Sequence, residues 1–178
     1  NIVYLIYIST TPAGENFLTP NYTTAAGATS FSVTGLTTST TYYFVVRAMD
    51  EAGNVDTNTV EVSATTLDAI PPTFGGAATA TAVSSSQIDL TWTAATDNVT
   101  PSSNIVYLIY ISTTSGGQDF LLPPSYTTAA GATTYSVTGG LSSSTTYYFV
   151  VRARDEAGNI DNNTVEVSAT TLFGTSGH

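Results

Sequence analysis

The stretch Asn1-Ile-Val-Tyr-Leu-Ile-Tyr-Ile-Ser-Thr10 decides the fold, because the same ten residues return at Asn104–Thr113. Its residues are almost all β-branched or aromatic, which favours a strand over a helix. A second shared segment, Thr41–Ala48, recurs as Thr146–Ala153. The copies lie about a hundred residues apart, a period typical of tandem domains rather than of short-repeat solenoids. The sequence therefore predicts two related β-domains.

The composition excludes several classes of partner. Only 9% of the 178 residues are charged, and 13 acidic residues against 3 basic ones give a net charge of −10. Basic patches supply most of the affinity for nucleic acid and for anionic membranes, so we expect neither partner. No apolar run is long enough to span a bilayer and no signal peptide is present, so we expect no membrane insertion and a mature piece of a longer protein. The Thr- and Ser-rich, Lys-poor composition predicts an extracellular or cell-surface location.

Catalytic chemistry has no support in the sequence. The chain has no cysteine, and its one histidine, His178, is in a segment that we expect to be a flexible tail. A Ser–His or Cys–His nucleophile system therefore cannot be built. The carboxylates fall on predicted turns rather than in a cleft, and the paired glycines lack the strand–loop–helix context of phosphate loops. We predict a chain that is not an enzyme and needs no cofactor.

The second copy has more strand candidates than the first. Pro71-Pro72 cannot lie inside a sheet, so they mark the start of a domain. Ile88, Leu90 and Trp92 alternate with polar residues, as in a half-buried strand, and Trp92 is expected in the core. The second copy has seven strand candidates, residues 77–83, 87–93, 104–112, 118–128, 133–138, 146–154 and 163–171. The first copy matches only the last five of them.

These features resemble the fibronectin type III family. The points of resemblance are Pro71-Pro72, Ile88–Trp92 as strand B, Tyr107–Tyr110 as strand C, Leu141 with Thr146–Ala153 as a tyrosine corner and strand F, and Arg154–Asn159 as the FG loop of bacterial members. The resemblance implies an immunoglobulin-like antiparallel sandwich, with strands A, B and E in one sheet and C′, C, F and G in the other.

The fold class predicted is thus all-β, with two such sandwiches in tandem, the first lacking strands A and B. We expect a partial domain over residues 1–67 (strands C to G), a complete domain over 68–172 and a flexible tail over 173–178. Leaving one sandwich half open costs several kcal/mol, comparable to the stability of a whole domain. The open inner face is predicted to contain Ile2, Tyr4, Ile6, Tyr42, Phe44 and Val46.

Three explanations of the open face remain at this point. The sequence begins inside a longer array, a neighbouring subunit supplies the strands by β-strand addition, or the first unit is disordered or artificially cut. The partners expected are accordingly other copies of the chain or adjacent domains of a longer array.

The opposite face of the same sheet is also apolar, which is unusual for solvent-facing strand positions. A contiguous exposed apolar patch usually marks a contact, so these residues form a candidate self-association face. The alternative is that Arg152 and the C–C′ loop cover them within the domain. The residues concerned are Val3, Leu5, Tyr7, Tyr43, Val45, Val106, Leu108, Tyr110, Tyr148 and Val150.

Two further kinds of site are predicted in loops. Asp97, Asp155 and Asp161 are candidate Ca²⁺ ligands, because Ca²⁺ takes six to eight oxygens. The spacing matches no dedicated calcium loop, and Asp and Asn are also ordinary turn residues, so turn formation is the alternative. Three Asn-x-Thr sequons are possible glycosylation sites, at Asn21, Asn98 and Asn162.

The function expected from these features is that of a non-catalytic extracellular structural module. It would assemble into a surface fibre, adhesin or sheath through strand complementation and contacts of the apolar sheet face. The alternative, which the family resemblance implies, is a spacer or accessory domain of a secreted polysaccharide-degrading enzyme.

Overall fold

The computed structural model describes residues 1–174 and separates two compact units, Asn1–Ala69 and a second that begins at Ile70. The units thus divide two residues after the predicted boundary at residue 68. Within the described residues the structure is β-sheet, turns and one short 3₁₀ turn at Ser102–Asn104. No helix in residues 1–174 has the length and hydropathy that a membrane span requires.

The first unit is a single antiparallel sheet of four strands. The sheet order is β2-β1-β3-β4. Its two long strands contain the repeated sequence segments, and their register places Ile6 opposite Val46 and Ile8 opposite Phe44. The strands are β1 (Val3–Ser9), β2 (Tyr22–Thr23), β3 (Thr41–Met49) and β4 (Glu61–Thr65).

The second unit has two antiparallel sheets, in the orders β11-β10-β7-β8 and β5-β6-β9. Written in family letters, these are the C′–C–F–G and A–B–E sheets that the resemblance implied, so the predicted fold class and strand order are confirmed. The strands are β5 (Thr79–Ala82), β6 (Ile88–Thr91), β7 (Val106–Ser112), β8 (Tyr126–Thr127), β9 (Thr134–Val137), β10 (Thr146–Arg154) and β11 (Glu166–Thr170).

The core of the second unit lies between these two sheets. Ile88 and Leu90 of β6 are fully buried in one cluster with Phe149 of β10. The ring of Trp92 lies 5.1 Å from that of Tyr107, and its Nε1–H donates to the carbonyl of Ala132 at 2.9 Å. Trp92 is therefore a core residue, as predicted from its place in the alternating pattern.

Two strand predictions differ from the structure. Of the candidate 118–128, only the last part forms a strand, β8, and the preceding residues form a loop. In the first unit, Phe31–Val33 forms no strand although its counterpart in the second unit is β9. The reason is that β9 forms its ladder with β6, with Tyr135 opposite Leu90, and the first unit has no such partner. Residues 175–178, which include His178 and most of the predicted tail, lie outside the described residues.

Candidate functional site

The inner face of the first unit's sheet is an open apolar groove of about 610 Å³. Strands β1 and β3 form its floor, and the irregular segment between β2 and β3 forms one wall. Side chains that line it include Tyr4, Ile6, Phe31, Val33, Phe44 and Val46.

The second unit shows how the same residues behave when the face is covered. Val46 is 43% exposed, whereas Val151, at the same place in the repeated segment, is 0% exposed. Ile2 is 39% exposed and its counterpart Ile105 is 0% exposed. Because the local sequences are identical, the difference comes from the covering sheet β5-β6-β9 and not from the strands themselves.

The predicted open core is therefore largely open, with one exception. Tyr4, Tyr42 and Phe44 are half-buried, but Ile6 is buried, so its predicted exposure is wrong. Tyr22 lies directly opposite Ile6 in the sheet, and its ring contacts that of Phe31 at 5.4 Å. Because opposite residues of an antiparallel pair lie side by side on one face, the Tyr22 side chain lies next to Ile6.

The outer face of the sheet is covered in both units, so the expected exposed stripe is wrong, and the structure has the alternative, in which Arg152 and the C–C′ loop cover the face. Six of the ten predicted self-association residues are 6% exposed or less: Leu5, Tyr7, Val45, Leu108, Tyr110 and Val150. The other four, Val3, Tyr43, Val106 and Tyr148, are half-buried.

A phenylalanine and an arginine cover this face in each unit. In the second unit the Phe120 ring packs edge-on against Tyr110 at 5.0 Å, and the Arg152 guanidinium lies 3.5 Å from the centre of the Phe120 ring. Arg152 also donates from Nε to the carbonyl of Asn163 at 2.9 Å, which fixes its position. The first unit repeats the arrangement with Tyr7, Phe17 and Arg47. The recurrence of this phenylalanine in both copies of the loop was a signal that the sequence reasoning missed.

A carboxylate holds the covering loop of the second unit in place. Glu166 of β11 accepts hydrogen bonds from the Ser115 hydroxyl at 2.7 Å, the Gly116 backbone N–H at 2.7 Å and the Gln118 amide at 2.9 Å. These donors, Ser115 first, lower the pKa of Glu166 below its ordinary value. The bonds tie the loop to the edge strand of the sheet.

In the first unit the corresponding carboxylate, Glu61, has fewer hydrogen bonds to the loop. Glu61 accepts from the backbone N–H of Ala13 at 2.7 Å, but Glu15 stands where the second unit has Gln118. A carboxylate cannot donate the bond that the glutamine makes. Within the described residues, Glu15 Oε1 is buried and has no hydrogen-bond partner.

The candidate calcium ligands accept hydrogen bonds mainly from nearby groups of their own turns and strands. Both oxygens of Asp155 accept from Asn159, at 2.7 Å from its backbone N–H and 2.8 Å from its side chain. Asp161 accepts from the backbone N–H groups of Ala153 and Asn163. Asp97 accepts through one oxygen from two backbone N–H groups of its own loop.

The structure brings only two of these three candidates together. Ligand oxygens of Asp97 and Asp155 lie within 4.8 Å of one another, and Asp161 is not in that group. Calcium binding at these residues stays a prediction, since their hydrogen bonds match the turn alternative equally well.

All three sequon asparagines are exposed: Asn21, Asn98 and Asn162. The Asn21 side-chain oxygen accepts from the backbone N–H of Ile8 at 2.9 Å, so this side chain pairs with a backbone group of β1. Glycosylation at the three sites stays a prediction.

Comparison with known proteins gives relatives among carbohydrate-active enzymes, although no family model matches the chain. It is 42% identical to exoglucanase A of Cellulomonas fimi over 177 residues, which is 97% of this chain and 18% of that protein. It is 39% identical to exoglucanase B of the same species over 150 residues, 82% of this chain and 13% of that protein. Chitinase A1 of Niallia circulans is 39% identical over 92 residues, 49% of this chain and 13% of that protein. The chain thus spans less than a fifth of the length of these relatives.

Solved structures agree with the fold described above. The FN1–FN3 domains of chicken CNTN1 align over 97% of this chain and 57% of theirs, with 18% identity and a TM-score of 0.50. At this identity the likeness concerns the fold alone. Taken with the sheet order of the second unit, it shows that the chain has the fibronectin type III fold, complete with both sheets in its second unit.

Proposed function

We propose that the chain is an accessory module, without catalytic activity of its own, within a secreted polysaccharide-degrading enzyme. The observation that carries this proposal is the match over 97% of the chain to 18% of an exoglucanase, together with similar partial matches to a second exoglucanase and a chitinase. A segment of this size shared among enzymes named for different polysaccharides fits a supporting module better than the catalytic part.

The surface of the second unit supports the same role. A spacer between domains has to stay folded and must not associate through its sheet faces. Leu108 and Val150, which would form an exposed apolar stripe, are 2% and 1% exposed under the Phe120–Arg152 cover. The net charge of −10 also favours solubility through mutual repulsion.

The fibre, adhesin or sheath that the sequence suggested loses one of its two supports. Assembly through the outer sheet face needed those residues to be accessible, and six of the ten are buried. The open inner face of the first unit remains as the other support. Covering that face requires added strands, and face-to-face packing of copies would not supply them.

Deleting residues 1–174 from the natural full-length protein tests the proposal. We expect a catalytic domain elsewhere in that protein, with its turnover of a soluble oligosaccharide changed less than about twofold by the deletion. The rate on insoluble polysaccharide should fall, because a spacer changes reach and not chemistry. A natural protein without glycanase activity, or filaments of the purified chain in electron micrographs, would overturn the proposal and favour the structural alternative.

A further inference from the structure

The second unit has a groove of about 530 Å³ where β7 begins and β10 ends. Its floor is one row of side chains across the sheet, because Val106 and Ile160 are the residues directly opposite Arg154 on either side. The turn that follows β10 forms its wall. Ile160 is 39% exposed, so this site, which we call the Arg154 groove, is accessible to a ligand.

Arg154 differs from the other two arginines in its contacts. Arg47 and Arg152 each donate from Nε to a backbone carbonyl and lie over a phenylalanine ring. Arg154 is half-buried, and within residues 1–174 its guanidinium makes no hydrogen bond, ion pair or ring contact. The sequence contains no lysine, so among the side chains of the described residues this guanidinium is the one cation whose donors are left for a ligand.

Two carboxylates, those of Asp155 and Glu156, line the same groove and are held by amide groups of the protein. Both oxygens of Asp155 accept from Asn159, at 2.7 Å and 2.8 Å. Glu156 Oε1 accepts from the Asn104 side chain at 3.0 Å, and the Glu156 backbone N–H donates to the Thr100 hydroxyl at 3.1 Å. These bonds fix the wall before a ligand binds and leave the second oxygen of Glu156 as an acceptor.

We propose that the Arg154 groove binds one neutral sugar unit of a polysaccharide. The guanidinium donates to sugar oxygens, Glu156 accepts from a sugar hydroxyl, and Val106 and Ile160 contact the apolar C–H face of the ring. An anionic unit would meet two carboxylates and a chain of net charge −10, and a cationic unit would meet the guanidinium, so a neutral partner with both donors and acceptors fits best. This inference rests on the proposed function, because it gives the polysaccharide a binding site on the accessory module.

The first unit contains a matched place without the cation. Met49 directly follows the repeated segment there, as Arg154 does in the second unit, and Val3 and Val55 are directly opposite Met49. A hydrogen bond between an asparagine and a glutamate side chain joins the start of the first strand to the turn in both units. The two places differ mainly by one guanidinium, so the first unit is a control within the same molecule.

Nuclear magnetic resonance of the isotope-labelled chain tests the site, with cellohexaose and chitohexaose as probes at millimolar concentration. We expect saturable shifts of the amide signals of residues 154–160, while those of residues 49–55 stay unchanged. Arg154→Met, which copies the first unit, should weaken binding by about tenfold or more, because it removes hydrogen bonds from a charged donor. Arg154→Lys keeps the charge but not the planar fork, so it should also weaken binding. Thr81→Ala, on the other sheet of the same unit, is the matched control and should bind like the unmodified chain.

Three results would overturn the inference. They are the absence of shifts at residues 154–160 with both probes, shifts that remain unchanged in Arg154→Met and Arg154→Lys, and tighter binding of galacturonic acid oligomers or inorganic phosphate, which would make the groove an anion site. All three would leave the proposed function in place, because the deletion of residues 1–174 tests that function by activity. A natural protein without glycanase activity whose groove still bound the neutral probes would contradict the proposed function alone.

Discussion

Val46 and Val151 form a matched pair that measures how open the first unit is. Each is the sixth residue of the repeated Thr-Tyr-Tyr-Phe-Val-Val-Arg-Ala segment, yet their exposures are 43% and 0%. Replacing each with alanine removes the same atoms from the same strand sequence. Differences in intrinsic strand propensity therefore cancel, and the comparison isolates burial.

The losses of unfolding free energy caused by Val151→Ala and by Val46→Ala are expected to differ by a factor of two or more. At about 0.8 kcal/mol for each buried methylene equivalent, Val151→Ala loses about 1.6 kcal/mol of transfer free energy. The cavity left in a packed core raises this to about 2 kcal/mol. Val46→Ala loses about half of the transfer term and leaves no cavity in an open groove, so we expect about 1 kcal/mol or less.

Native-state hydrogen exchange of the full chain measures the two units separately, through peptides from β3 and from β10. Urea unfolding followed by fluorescence adds an independent value for the second unit, because Trp92 is the single tryptophan. Equal losses at the two sites would refute the reasoning, since they would mean that the face of the first unit is covered in solution.

Three further predictions concern the loops that cover the outer face. Glu15→Gln should stabilise the first unit by about 1 kcal/mol, because a glutamine can donate the part-buried hydrogen bond that Gln118 makes in the second unit. Gln118→Glu should destabilise the second unit. Hydrogen exchange in β4 and β11 measures both changes, and a loss of stability with Glu15→Gln would contradict the assignment. The pKa of Glu166 is lowered below its ordinary value of 4.5, so its contribution to stability is present above pH 4.5 and is lost as the pH falls through the folded-state pKa. The urea midpoint of the second unit should therefore fall on acidification. It should fall less steeply in the Glu166→Gln variant. An unchanged pH slope in that variant would contradict this. Phe120→Ala should uncover Tyr110, destabilise the second unit by about 2 kcal/mol and raise ANS binding. A variant of unchanged stability and unchanged ANS binding would be the contrary result.

The sheet architecture was predictable from the sequence because it rests on local patterns. The alternation of Ile88, Leu90 and Trp92 with polar residues identifies one inward face, and the repeated apolar strands identify the other. A repeat within one chain also serves as its own alignment. It shows that residues 1–69 contain no counterpart of β5 and β6.

The covering of the outer face could be named from the sequence only as an alternative to exposure. A period of two assigns Leu108 to one side of a sheet, but it does not say whether a loop lies on that side. The cover depends on Phe120 and Arg152, which meet across 32 positions in sequence and are held by the contacts of Glu166 with the loop. Such long-range contacts are decided by tertiary structure. The failure of residues 31–33 to form a strand has the same origin, because a strand needs a partner as well as propensity.

The duplication has a consequence for how this chain folds. In chain order the β5–β6 pair lies between two sheets that present nearly the same inward residues, and links of similar length join it to each of them, residues 66–78 and 92–105. During synthesis the β5–β6 pair is completed before the second sheet, so an open first sheet would compete for it. A non-native pairing there would have to be undone before the second sheet could take its own strands. A groove that already holds a strand pair removes this competition, so filling it would protect the folding of the neighbouring unit as well as the stability of the first.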